Sequence, residues 1–143
     1  MSSPVRAALL VGGVAGFVGV AAGAMGAHAL SGRIDAQALG WWRTAADYAQ
    51  LHAVVLVAIG LSRARARALR VAVPAFAAGI AIFSGTLMAM ALGAPRWFGA
   101  ITPLGGLCLM AGWLALAAAA VASRELAEPA PERGPDDARR GPS

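Results

Sequence analysis

The sequence predicts an all-α integral membrane protein, a four-helix bundle followed by a charged tail. Three observations carry that prediction. Hydrophobic residues make up 59% of the 143-residue chain and charged residues 13%, about half the charged share of a soluble domain. Four apolar stretches, at 5–27, 42–61, 71–92 and 103–122, each approach the roughly 20 residues a helix needs to cross a bilayer. Ten of the 12 arginines lie outside those stretches, six in the short pieces between them and four in the tail. The expected organisation is a four-span unit, 1–123, and a tail, 124–143.

Span one follows Arg6. Ala27-His28-Ala29 at its end resembles a signal-peptidase site, but the apolar run exceeds the roughly 7–15 residues of a signal peptide, so a retained helix is expected. Gly12, Gly16, Gly19, Gly23 and Gly26 recur at spacings of 4, 3, 4 and 3. That stripe carries no side chains, so another backbone can approach closely and gain dispersion contacts. The spacing leaves open whether the visitor is another span or a second copy of the chain. Between spans one and two, Asp35 is expected to cap a short helix ending at Gly40. Trp41, Trp42 and Trp97 are expected to form an interfacial belt.

Span two is the least apolar. Counted from Leu61 at about 1.5 Å per residue, Asp47 falls about 9 Å below the outer hydrocarbon boundary, and His52 lies about 7 Å deeper. Ionisable groups at such depth are expensive and normally face the bundle interior. Arg43 with Asp47, and Tyr48 with His52, are i,i+4 pairs that share helix faces. With His28 from span one and Thr102 and Arg96 from the last outer loop, they predict an outer polar cluster.

Pro74 is placed in the first turn of span three, where a missing N–H costs nothing. Ser84 and Thr86, flanking Gly85, can bond a backbone carbonyl one turn earlier or bridge to a neighbouring helix. Thr102 is expected to cap span four, with Pro103 at its first position. Gly85, Gly105, Gly106 and Gly112 are read as packing positions. Trp113 falls in mid-span and needs a partner for its indole N–H. Cys108, the single cysteine, excludes an intramolecular disulfide and is expected to be a small buried hydrophobe. The tail, with four prolines and nine charges, is expected to be disordered.

All 12 basic residues are arginine. Arg63, Arg65, Arg67 and Arg70 fall between spans two and three, whereas Arg33 and Arg96 alone occupy the opposite loops. Both termini and the middle loop are therefore expected to be cytoplasmic. The formal charge of +5 does not signal nucleic-acid binding, because no basic face with interleaved aromatics exists. Helical ligand pairs such as H-x-x-x-H or E-x-x-H are absent, so no metal and no cofactor is expected. Nucleophile motifs, phosphate loops and paired carboxylates are absent as well. Val54 to Leu61 contains no polar side chain, which interrupts any proton path through span two.

A non-catalytic membrane protein, an accessory or assembly subunit, is the reading these features favour. The rival is a small transporter or channel built on the outer polar cluster. The expected surroundings are the lipid bilayer and either a membrane-protein partner or a homo-oligomer; the residues do not identify a small-molecule ligand.

Several segments together spell a family pattern. Gly23-Ala24-Met25-Gly26-Ala27-His28-Ala29-Leu30 closes span one, and Trp42 through Tyr48 to His52 follows. Phe83-Ser84-Gly85-Thr86-Leu87 lies in span three, and Thr102-Pro103-Leu104-Gly105-Gly106 with Gly112-Trp113 marks span four. Over residues 5–123 the chain resembles the family termed domain of unknown function 423, small YgdD-like bacterial membrane proteins with eukaryotic relatives. The resemblance implies four spans in the bacterial inner membrane and no established biochemical activity. The family pattern falls on His28, Tyr48, His52, Ser84, Gly85, Thr102, Pro103, Gly105, Gly106 and Trp113. Thr86 stands where the family often has a second serine, and Asp47 is outside the pattern.

Overall fold

A computed structural model describes residues 3–62 and 66–125. It contains four helices: α1 (Ser3–His28), α2 (Ala36–Leu61), α3 (Ala66–Ala91) and α4 (Phe98–Glu125). All four are long and apolar enough to cross a membrane. The chain is a multi-pass, four-helix membrane protein. The expected tail began at 124, but residues 124 and 125 end α4; its remainder, 126–143, lies outside the described residues, as do Arg63 and Arg65 of the middle loop.

The helix boundaries depart from expectation in instructive ways. Asp35 is the N-cap, its carboxylate accepting from the Ala38 N–H at 2.8 Å. The helix it starts does not stop at Gly40 but runs on as α2. One glycine costs a helix about 1 kcal/mol relative to alanine, too little to break a 26-residue run. α4 begins at Phe98, so Thr102 is not its cap and Pro103 lies inside the helix. Pro74 is likewise interior to α3, which starts at Ala66. Interior proline is tolerated in membrane helices where neighbours satisfy the freed carbonyl groups. The turns between helices use glycine where the chain needs positive φ, at Gly32 (76°) and Gly93 (97°).

The helices alternate in direction and pack as α1 on α2, α2 on α3 and α3 on α4, with a smaller α1–α3 contact. Among the described residues the backbones of α2 and α4, and of α1 and α4, do not approach. α2 and α3 form the centre, with α1 and α4 flanking them. One core cluster joins Ala8 of α1, Leu56 and Ile59 of α2, Ala72, Val73 and Phe76 of α3, and Leu109 of α4. A second, at the end bearing the tryptophan loops, is built around Trp42 with Ala22, Ala38, Ala46 and Ala91. The spans are rich in small residues at these contacts because lipid offers no hydrophobic drive to bring helices together, so close backbone approach must do so.

Candidate functional site

The glycine stripe of α1 faces α2 within the chain. A Cβ at Gly12 would stand 3.0 Å from the Ala53 carbonyl oxygen and Leu56 Cβ, and one at Gly26 would stand 2.8 Å from the Trp42 ring. Into this groove α2 sends two long polar side chains. Trp42 Nε1–H donates to the Ala22 carbonyl at 2.7 Å, and Gln50 Nε2 donates to the Gly19 carbonyl at 3.0 Å. Each uses the second lone pair of a helical carbonyl. Trp42 is 5% exposed; instead of joining Trp97 in an interfacial belt, it staples α1 to α2. The bare stripe explains the difference, since only there can a bulky indole reach a neighbouring backbone.

Across the molecule, α3 and α4 are joined by hydroxyls and rings. Thr86 Oγ1 lies 2.7 Å from the Ile82 carbonyl and 2.8 Å from Thr102 Oγ1. Both contacts are satisfied when Thr86 donates back to its own helix and Thr102 donates to Thr86. Gly105 sits against the Phe83 backbone, and Gly112 against the Phe76 ring.

His52 is 3% exposed. Its Nδ1 lies 2.8 Å from the Tyr48 carbonyl, and its Nε2 lies 3.3 Å from Trp113 Nε1. A carbonyl only accepts and an indole N–H only donates. A neutral imidazole with its proton on Nδ1 serves both partners. Mid-span Trp113 thus finds the acceptor that its position demands, and this bond links α2 to α4, whose backbones stay apart. Beneath it, Phe76 packs edge-on to Trp113 with centroids 5.6 Å apart, and Phe83 lies 4.6 Å from Tyr48. A groove of about 380 Å³ follows this seam, lined by Tyr48, His52, Phe83, Gly106, Leu109 and Trp113.

The structure does not assemble the outer cluster as one unit. Tyr48 and His52 lie together with their rings 5.8 Å apart. Thr102 belongs with Thr86. His28 is exposed at the end of α1, away from any described hydrogen-bond partner. Arg43 and Asp47 are both exposed and form no ion pair with each other or with another described residue. Ser84 is 4% exposed, and its hydroxyl has no partner among the described residues. Gly85 faces open space, unlike the other packing glycines of α3 and α4. Cys108 is half-buried and free. Gln50 and Phe76 were not singled out by sequence, and Phe83 entered only as the first residue of the span-three motif. Gln50 carried a signal: it is a polar side chain in an apolar run on the helix following a glycine stripe.

The sequence profile of the family described as protein of unknown function (DUF423) matches residues 22–106. A UPF0382 membrane protein of Haemophilus influenzae is 37% identical over 114 residues, covering 79% of this chain and 92% of the relative. The chain belongs to the DUF423 family. The UPF0382 inner membrane protein YgdD of Escherichia coli K12 is 33% identical over 122 residues, covering 81% of this chain and 90% of its own. A UPF0382 membrane protein of Staphylococcus haemolyticus is 36% identical over 109 residues, 76% of this chain and 89% of that one. No solved structure matches. The segment matched by the DUF423 profile contains Trp42, Gln50, His52, Ser84, Thr86 and Thr102 and ends just short of the Gly112-Trp113 pair.

Proposed function

We propose that this DUF423 protein is a non-catalytic accessory or assembly subunit of a membrane complex, inserted with its arginine-rich end toward the cytoplasm. One observation carries the reading. The polar groups of buried Trp42, His52, Thr86 and Thr102, of half-buried Gln50 and of the more exposed Trp113 are turned toward neighbouring helices and engaged there. Hydrogen bonds of this kind between membrane helices contribute about 0.6 kcal/mol each, up to about 1.7. They favour a rigid shape over a moving reaction centre. The outward faces, α4 above all with Leu104, Leu107 and Leu114 exposed, offer apolar surface for other membrane helices. Purification from native membranes with lipids retained, followed by mass spectrometry, is expected to recover a second protein species in fixed ratio. Recovery of this chain with no other protein species would overturn the reading.

The orphaned Ser84 hydroxyl favours a second reading, a small transporter. Reconstituted protein would then support a flux lost in both Ser84→Ala and His52→Ala chains that remain folded. Absence of any such flux removes that alternative.

A further inference from the structure

Asp47 lies twelve residues beyond the Asp35 N-cap, about 18 Å along α2, well inside a hydrocarbon core about 30 Å thick. Yet its side chain is exposed, on the face turned away from α1 and α3. An ionisable group at membrane depth on the outside of a fold is costly unless something covers and pairs it. Arg43, one turn away on the same side, is exposed too, and the two do not bond one another.

The residues around Asp47 are ordered for helix packing. Thr44, Asp47, Leu51, Val54, Ala58 and Leu61 follow at spacings of 3, 4, 3, 4 and 3, and every one is exposed. Gly40 extends the series by one more step of 4, with no heavy atom near its would-be Cβ. This is a complete heptad seam, small toward one end and apolar toward the other, with no helix of the described residues on it. A 3.5-residue repeat is the signature of a left-handed helix pair.

The charges identify the missing helix. A two-fold interface is self-complementary: if residue i of one copy meets j of the other, j also meets i. Arg43 and Asp47 are opposite in sign and offset by about 6 Å along the axis, a gap the long arginine side chain bridges. Arginine bias in the loops gives every copy the same orientation in the bilayer, so two α2 helices meet in parallel and a two-fold axis along the membrane normal is available.

We propose that the outward face of α2 packs against α2 of a second copy of this chain, with Arg43 of each copy paired to Asp47 of the other. The interface carries two opposite charges from each chain and no net charge. It meets the His52–Trp113 groove only at Leu51 and leaves the exposed leucines of α4 uncovered, so it stands independently of the accessory role proposed above.

The test uses two differently tagged full-length chains, one Asp47→Arg and one Arg43→Asp, both with Cys108→Ala and Val54→Cys so that dimers are trapped as disulfides in native membranes. The otherwise unaltered Val54→Cys chain is expected to cross-link to itself. Each charge variant alone opposes like charges across the axis, and its dimer is expected to fall by about tenfold or more. Expressed together, they restore both ion pairs, and the mixed dimer returns to near the original yield. Misfolding of either variant cannot produce that recovery. A pair confined to one helix would leave the two variants unable to complement each other. Failure of the mixed dimer to exceed the single variants would overturn the proposal, as would cross-linking of the unaltered seam to a different protein or to nothing.

Discussion

In the α1–α2 hairpin, long side chains of α2 reach across a bare glycine stripe to main-chain carbonyls of α1. In the α3–α4 hairpin, a threonine pair and two glycines seated on phenylalanines hold the helices instead. The first contact is a polar side chain against backbone, with the ends of Trp42 and Gln50 filling the space that glycine leaves. The second is tighter at one point, where Gly105 lies against the Phe83 backbone itself. A side chain can shift when crowded and a backbone cannot. The two hairpins should therefore respond differently to the same insult.

The largest effect is expected at Gly105→Ala. The added methyl would collide with Phe83 main-chain atoms, and overpacking of this kind costs about 3 kcal/mol. Equilibrium unfolding in mixed micelles should show that loss, together with separation of α4 from α3. A loss as small as that of an exposed glycine would break the comparison. Next comes Trp42→Phe, which keeps most of the ring over Gly26 but deletes the bond to Ala22. A loss of about 1 kcal/mol is expected, and an unchanged midpoint would mean that the groove is held by shape alone. Smaller still is the coupling between Thr86→Val and Thr102→Val. A double-mutant cycle should give about 0.6 kcal/mol, and additive single effects would remove the hydroxyl pair from the account. No loss is expected at Gly16→Ala, whose new methyl meets Ala53 Cβ at an ordinary 3.6 Å. Alanine is the better helix former, so a gain of up to about 1 kcal/mol is expected there, against a loss at Gly19→Ala, where Gln50 stands 2.7 Å away.

The number and order of the helices were legible, because hydrocarbon thickness and hydropathy decide them, whereas α2, α3 and α4 start five or six residues ahead of the apolar stretches. The need for a partner at Trp113 was legible too, because an indole N–H in mid-membrane has nowhere else to go. Which faces point inward was harder. In a soluble helix the apolar side is the inner side, but here lipid and core are equally apolar and that signal vanishes. Asp47 shows the consequence. Spacing placed it on the same face as Arg43, and depth suggested an interior site, yet the face they share is the outer one. Trp42 errs the other way: its position near the end of a span suggested an interface, and the glycine stripe opposite drew it into the core. The prolines were misplaced because apolar runs locate a membrane span and not the helical turns that extend beyond it. α3 and α4 start ahead of their apolar cores, which leaves Pro74 and Pro103 inside the helices.

The account rests on the interior polar groups forming a brace and not a water path, and Ser84 is where that claim is most exposed, being buried with a free hydroxyl. Ser84→Cys is nearly isosteric and gives the direct test. In a Cys108→Ala background, the substituted chain in intact membranes is expected to resist a hydrophilic maleimide applied from either side and to react fully once denatured. Labelling of the folded protein would show that water reaches the centre of the bundle, and would contradict the brace.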